Sequence, residues 1–330
     1  MLLDGKTILI TGGTGSFGKC FTRYVMEHSN PKKVIIYSRD EFKQWMMENE
    51  FKEYADKLRF FIGDVRDQER LRRAFEGVDY VIHAAALKQV PACEYNPNEA
   101  IKTNIHGAMN IIEAALDTNV KKVVALSTDK AVNLSTFTAA QSSSATSCLS
   151  QRTPMSAQGY QLLDRSLRQR CRKPRSIIPF FRKLIADGQT ELPITDLRMT
   201  RFWISLEQGV QLVIKALEEA KGGETFISKI PSFKITDLAE AMLPGCGIKE
   251  IGIRPGEKLH EIMVTTEDSF TTYEYEKHFI VYPQMTWNNK QQPDMSGHKV
   301  AEGFSYSSDN NTEWLSVEQI RELLKTVKTV

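Results

Sequence analysis

The strongest constraint on the fold lies near the start, where Thr7-Ile-Leu-Ile-Thr11 runs into Gly12-Gly13-Thr14-Gly15-Ser16-Phe17-Gly18. The first run reads as a strand and the apolar spacing after Ser16 as a helix, so glycines stand at 12, 15 and 18 on a strand-to-helix turn. Gly12 permits the tight turn, Gly15 lets the backbone approach a pyrophosphate, and Gly18 lets helix and strand pack closely. The helix N-terminus then faces the phosphate charge. A dinucleotide site is therefore expected at Gly12, Thr14, Gly15, Ser16, Phe17 and Gly18, and such a site needs a parallel sheet around it.

The chain to about residue 130 meets that need. Strands are predicted at Thr7–Thr11, Lys33–Tyr37, Arg59–Ile62, Tyr80–His83 and Lys122–Leu126, and helices with one buried stripe at Phe17–His28, Asp40–Glu53, Asp67–Phe75 and Asn98–Asp117. Five strands and four crossovers make an α/β fold, a Rossmann-like doubly wound parallel sheet. After about residue 176 the elements shorten: a helix near Ile177–Ala186, an extended Glu191–Thr195, helices near Leu206–Ala220 and Asp237–Met242, and a last one after Ser316, where Ser316 and Gln319 fit a capping box. The expected division is a dinucleotide-binding domain over 1–175 and a smaller C-terminal lobe over 176–330.

Composition narrows the setting. With 43 basic and 41 acidic residues among 330, a formal charge of +2 gives no general pull toward nucleic acid. The five cysteines, Cys20, Cys93, Cys148, Cys171 and Cys246, are odd in number, far apart and never C-x-x-C, which suggests neither a disulfide framework nor a metal site. Reduced thiols and a cytoplasmic location follow. Asp4 and Lys6 break any apolar leader and no run of about 18 apolar residues occurs, so neither secretion nor a membrane partner is expected.

Further candidates sit at the predicted strand ends. Tyr37-Ser38-Arg39-Asp40, with Lys43 just beyond, stands where a dinucleotide site meets the adenosine ribose. Ser38 and Arg39 offer a hydroxyl and a guanidinium to a 2′-phosphate, which favours NADP over NAD; the competing reading is a solvated Arg39 paired with Asp40 or Glu41. Asp64 and Val65 are candidates to hold the adenine, Ala84 and Ala86 give small side chains where the backbone passes a cofactor, and His83 reads as a core histidine. Leu126-Ser-Thr128-Asp129-Lys130 places a hydroxyl, a carboxylate and an amine at the carboxyl edge of the sheet, where an adjacent acid and base can serve proton transfer; an ordinary loop with a salt bridge is the alternative. Arg198-Met-Thr-Arg201 and Arg254-Pro-Gly-Glu257-Lys258 offer cations to a diphosphate, against a merely solvated basic surface.

At these residues, together with Gly63-Asp-Val-Arg-Asp67, Ala84-Ala-Ala-Leu-Lys88 and Arg254-to-Glu261, the chain resembles the inverting UDP-N-acetylglucosamine 4,6-dehydratases. These are extended short-chain dehydrogenase/reductases that open pseudaminic acid biosynthesis for surface or flagellin glycosylation. The match covers about 1–133 and 176–330. It implies NADP as cofactor, UDP-N-acetylglucosamine as partner and a homo-oligomer. It also implies a cycle in which C4 is oxidised by hydride transfer, water is lost across C5 and C6, and the hydride returns to C6 with C5 inverted, giving UDP-2-acetamido-2,6-dideoxy-L-arabino-hexos-4-ulose. By matching position, Asp129 would protonate the leaving C6 hydroxyl, Lys130 would be the base at C5 and Thr128 would hold the sugar. Lys88 would lie near cofactor and substrate, and Arg201, Arg254 and Glu257 would line the nucleotide end, whereas Gln89 stands where a histidine is usual. A nucleotide-sugar 4-epimerase fits less well, because it does not need the elimination chemistry of Asp129 and Lys130.

One stretch departs from the family. Between Leu134 and Ser176, 43 residues hold 9 Ser, 7 Arg or Lys and a single acid, Asp164, a composition that ordinarily reads as a basic loop or linker. The family's Tyr and Lys, which take the C4 hydroxyl proton and lower the tyrosine's pKa, would fall at Thr138 and Ser142. Neither replaces them. The only Tyr-x-x-x-Lys, Tyr273 to Lys277, lies in the other lobe and is read as accidental. The genetic code supplies a reason: CCT ATC AAC CTT TAC G, for Pro-Ile-Asn-Leu-Tyr, reads after loss of one C as Leu-Ser-Thr-Phe-Thr, which is Leu134 to Thr138. Likewise GAC AAG CTG TTT GTC GCA GCG AAC A, for the family-like Asp-Lys-Leu-Phe-Val-Ala-Ala-Asn, reads one base late as Thr146 to Thr153. Leu134 to about Arg175 thus reads as a frameshifted translation of the catalytic helix and sixth strand, with the frame restored by Ser176. A chain without the Tyr–Lys pair is expected to bind NADP or a nucleotide sugar without turning it over.

Overall fold

The computed structural model describes residues 2–87, 89–127, 159–163, 177–253, 257–283 and 295–326, and of residues 90, 91 and 159–163 the backbone alone. Its first half runs β1 (Thr7–Thr11), α1 (Ser16–His28), β2 (Lys33–Ser38), α2 (Glu41–Glu50), β3 (Leu58–Ile62), α3 (Gln68–Phe75), β4 (Tyr80–His83), α4 (Val90–Tyr95), α5 (Pro97–Ile101), α6 (Gly107–Asp117) and β5 (Lys122–Leu126). After β6 (Gly159–Leu163) come α7 (Ile177–Ala186), β7 (Glu191–Ile194), β8 (Thr200–Phe202), α8 (Leu206–Glu219), β9 (Thr225–Ser228), β10 (Ser232–Lys234), α9 (Ile235–Met242) and β11 (Gly247–Glu250). The chain continues through β12 (Ile262–Val264), β13 (Thr272–Glu274), β14 (His278–Val281), β15 (His298–Lys299) and β16 (Tyr306–Ser307) to α10 (Val317–Thr326).

The main sheet has ten strands in the order β15-β13-β14-β9-β6-β5-β4-β1-β2-β3. From β3 to β9 every pairing is parallel, and the last three strands are antiparallel. The predicted doubly wound fold is therefore present, and β2 and β3 each run one residue longer than their spacing suggests. All five residues of β1 are buried, as a parallel strand covered on both faces requires. Phe17, Phe21 and Val25 of α1 and Val210, Val213 and Leu217 of α8 join Ile8 and Ile10 in one core. Leu71 and Phe75 of α3 and Ile111 and Ile112 of α6 join Leu9, Ile35, Val81 and Val123 in a second. A third core gathers Phe181, Leu192, Trp203, Phe233, Leu238, Ile320 and Leu324 from the C-terminal half.

Three differences from the sequence reading have physical causes. The stretch with a loop-like composition supplies β6, whose backbone pairs Lys122 with Gly159 through to Leu126 with Leu163. A strand at that place satisfies the backbone groups of both β5 and β9, which would otherwise lose their ladder. The single helix predicted over Asn98–Asp117 is broken by a π turn at Lys102–His106. There Asn104 accepts the Leu87 N–H at 2.8 Å and donates from Nδ2 to the Leu87 carbonyl at 2.9 Å, and an inserted side chain of this kind is a recognised cause of helix irregularity. Finally, α8, β9, β13, β14 and β15 all come from beyond residue 176, yet the four strands extend the main sheet and α8 covers α1. Tyr273 stands on β13 and Lys277 beyond its end, so a spacing that would share a helix face does not do so here.

His278 on β14 lies buried between Phe226 and Tyr275, with ring centroids 5.9 and 4.8 Å away and Nε2 without a partner among the described residues. Burial first, and the nearby Lys215 next, push its pKa down to about 4. The unfolded chain takes up that proton near pH 6.5 and the folded one only near 4, so stability present above pH 6.5 is lost as pH falls through that window, by about 3 kcal/mol. Thermal unfolding from pH 7.5 to 4.5 should show this loss, and His278→Phe should flatten it; an unchanged slope in the variant would exclude His278 as its source.

Candidate functional site

The order of the parallel strands reverses between β1 and β4, and in open α/β sheets the crevice outside that switch point takes the ligand. The glycine turn forms one wall. Gly12 has φ +65°, and a Cβ there would come within 3.0 Å of the Ala85 backbone. A Cβ on Gly18 would lie 2.2 Å from the Gly13 carbonyl oxygen, so only glycine lets the first turn of α1 lie this close to the turn that follows β1. Gly15 is the N-cap of α1 and no side chain caps that end, which leaves a helix terminus suited to a phosphate. Thr11 Oγ1 meets His83 Nδ1 at 2.7 Å and ties the ends of β1 and β4 together. His83 is buried, as a core histidine is expected to be.

The other wall is the tip of β2 and β3. Thr14 Oγ1 and Ser38 Oγ lie 3.0 Å apart, joining the turn to the end of β2. Asp40 is the N-cap of α2, accepting the Lys43 N–H at 3.0 Å and its ammonium at 2.6 Å. Those Lys43 contacts hold the exposed Asp40 carboxyl below the usual carboxylate range. Arg39 is half exposed and reaches Asp64 only at 3.4 Å. Burial works to raise the Asp64 pKa, but hydrogen bonds from Arg66 and the charges of Arg39 and Arg66 outweigh it and lower it. Ala84 and Ala86 are partly exposed beside the turn, and the Ala84 N–H donates to the Thr11 carbonyl at 3.2 Å. Ser16 is also partly exposed, whereas the rings and methyls of Phe17 and Val65 sit in the two cores, leaving their backbones as what they can offer a ligand. The open terminus, the glycine cradle and the hydroxyl and guanidinium at the β2 tip together fit a dinucleotide.

In the C-terminal half, Arg201 Nη1 donates to the carbonyls of Thr200 and Leu259 at 2.7 and 2.8 Å, and its Nε lies 3.7 Å from the buried Glu261 carboxylate. Glu261 in turn accepts the Phe202 N–H at 3.1 Å. The two basic motifs read separately in the sequence are thus stitched into one unit, with Glu257 exposed at its edge. Arg198 forks onto Asp196 at 3.0 and 2.7 Å. Lys88, Thr128, Asp129, Lys130 and Arg254 lie outside the described residues, as do Thr138 and Ser142; Ser127, buried at the end of β5, is the last residue described before the acid–amine pair. Sequence reasoning missed Asn104, Arg66 and Glu261. An asparagine inside a helical pattern is the one signal that could have found Asn104, since such a side chain competes for backbone groups.

Sheet order, glycine turn and tip residues define a dinucleotide-binding protein of the extended short-chain dehydrogenase/reductase class. Residues 8–283 match the family described as polysaccharide biosynthesis protein. The chain is 50% identical over 342 residues, covering 98% of each, to the UDP-N-acetylglucosamine 4,6-dehydratase (inverting) of Campylobacter jejuni strain 81-176. It is 37% identical to the UDP-glucose 4-epimerase of Rickettsia akari, over 99% of this chain and 97% of that one. Among solved structures, Pen from Bacillus thuringiensis superposes with a TM-score of 0.87 at 34% identity, covering 99% of this chain and all of that one. The dTDP-glucose 4,6-dehydratase DesIV of Streptomyces venezuelae shares the fold, with a TM-score of 0.66 at 21% identity over 77% of this chain and 86% of that one. The chain belongs to the polysaccharide biosynthesis protein family and is a homologue of its inverting UDP-N-acetylglucosamine 4,6-dehydratases.

Proposed function

We propose that the protein is an inverting UDP-N-acetylglucosamine 4,6-dehydratase by lineage, using NADP, and that its residues 134–175 withhold turnover. The observation that carries the lineage is identity to a named dehydratase along nearly the whole of both chains. The domain from 1 to 175 would hold the cofactor and that from 176 the nucleotide sugar. No described helix is long and apolar enough to cross a membrane, and the reading places the protein in the cytoplasm as a homo-oligomer.

A bound nicotinamide supplies hydride transfer to and from the sugar. The chain's own share is to bind, orient and move protons. The α1 terminus and the turn Gly12, Thr14, Gly15 and Gly18 receive the pyrophosphate, Arg39 and Lys43 the 2′-phosphate, and Asp64 the adenine edge. Asp129 gives a proton to the departing C6 hydroxyl and Lys130 removes one from C5. Arg201, Arg254 and Glu257 line the nucleotide end. Product analysis with UDP-N-acetylglucosamine separates the readings: a 4-keto-6-deoxy sugar from the frame-restored chain supports the dehydratase, a C4 epimer supports the epimerase, and binding without product in both versions rejects catalysis.

NADP should bind more tightly than NAD by about tenfold to a hundredfold, the worth of a charge-assisted phosphate contact, and Arg39→Ala should erase most of the difference. Equal dissociation constants for the two cofactors in the parent chain would refute the assignment of Ser38 and Arg39.

A further inference from the structure

Four cations stand at the β2–β3 tip, and they are not equally committed: Arg70 donates to the Ile62 carbonyl at 2.9 Å and lies 3.9 Å over the Phe61 ring. Lys43 is held by Asp40 at 2.6 Å. Arg66 is held at both ends: its Nε and Nη2 reach Asp64 Oδ2 at 2.9 and 2.7 Å, its backbone N–H reaches Asp64 Oδ1 at 3.0 Å, and its Nη1 reaches Glu99 on α5 at 2.6 Å. Glu99 is itself steadied by Lys102 at 3.1 Å. Arg39 has the longest contact, 3.4 Å to the same Asp64 Oδ2, with half its side chain exposed. Arg66 thus holds Asp64 Oδ2 with its guanidinium and Oδ1 with its backbone N–H, and Arg39, sharing Oδ2 at the longest distance, is the cation that can leave at least cost.

We propose that Arg66 is a positioning residue for cofactor choice: by filling Asp64 it keeps Arg39 available to a 2′-phosphate. This rests on the reading of Arg39 as the 2′-phosphate ligand. Without Arg66, Arg39 becomes the remaining partner of Asp64 among the described tip cations, and a phosphate must break a full ion pair to recruit it. An exposed pair of that kind is worth up to about fivefold in a binding constant. NAD asks nothing of Arg39 and feels no such penalty.

The test is titration of the full chain with NADP and with NAD by calorimetry, in the parent, Arg66→Gln, Arg66→Lys and the double variant Arg66→Gln/Asp64→Asn. Arg66→Gln should lower the NADP-to-NAD affinity ratio by about fivefold through NADP alone. Arg66→Lys, which keeps the charge on Asp64, should retain most of the ratio. Removing the carboxylate in the double variant should restore it, because nothing then holds Arg39 back. A parent that prefers NADP with an unchanged ratio in Arg66→Gln, or equal losses for both cofactors, would overturn the role of Arg66 alone. A parent with no preference would overturn the NADP reading and this inference together.

Discussion

Restoring the reading frame across Leu134–Arg175 is expected to convert a chain with no measurable dehydratase turnover into one that releases a UDP-4-keto-6-deoxy-hexosamine. Oxidation at C4 needs a base for the hydroxyl proton as hydride leaves, and a positioned base contributes typically about 10²–10⁴-fold. Thr138 is far too weak an acid to form the needed oxyanion, and Ser142 brings no positive charge to help it. In the proposed mechanism Asp129 and Lys130 act in the later elimination, at C6 and C5 and not at C4. In the restored protein Lys130→Ala should block solvent deuterium entry at C5, while phenylalanine in place of the restored tyrosine at 138 should stop the reaction earlier, at C4. Mass spectrometry of the product in deuterium oxide distinguishes the two. Robust turnover by the chain as it stands would show that another group serves as the C4 base.

A second large effect is expected at the glycine turn, and two neighbouring glycines should respond differently. Gly18→Ala places a Cβ 2.2 Å from the Gly13 carbonyl oxygen and 2.6 Å from its Cα and carbonyl carbon, all main-chain atoms. A flexible side chain could move aside; here α1 must shift away from the glycine turn. Overpacking costs about 1–3 kcal/mol where side chains yield, so a collision with backbone should lie at or above that range and lower both the melting midpoint and dinucleotide affinity. Gly15→Ala meets only the Gly12 carbonyl oxygen, at 3.1 Å, in a backbone region open to any residue. It should melt near the parent's temperature yet weaken NADP by about tenfold or more, because the methyl stands where a pyrophosphate approaches. Calorimetry and cofactor titration check both. A Gly18→Ala protein that melts and binds like the parent would contradict the close packing of α1 on the glycine turn.

The parallel half of the fold was legible because its signals are local. A β-branched run, a glycine triplet and a helix of one-sided apolar spacing follow one another between Thr7 and His28, and each predicts the next. Arg39 likewise follows the end of β2, at the carboxyl edge of the sheet, by position alone. What stayed hidden depends on residues far apart in the chain. Nothing near Asn104 signals that its amide will close on Leu87, seventeen positions earlier. Arg66 and Glu99 are 33 apart, Arg201 and Glu261 are 60 apart by their numbering, and each pair exists only once the sheet has formed. β6 was obscured for another reason: the composition around it carries no strand pattern, and its place is set by the ladders of β5 and β9 on either side.

The packing of α8 over α1 bears on how a gene with the proposed frameshifts could persist. The apolar stripe of Phe17, Phe21 and Val25 is covered by residues encoded well downstream of the altered stretch, and so are the strands that close the sheet beyond β6. A single base lost near codon 134, left uncorrected, would scramble every one of them and leave a nascent product with an uncovered sheet, fit for proteolysis. On the frameshift reading, two compensating shifts would confine the damage to about forty codons and spare all the downstream partners. On that reading the altered segment is a bounded substitution, and an allele carrying either shift alone should yield no soluble polypeptide.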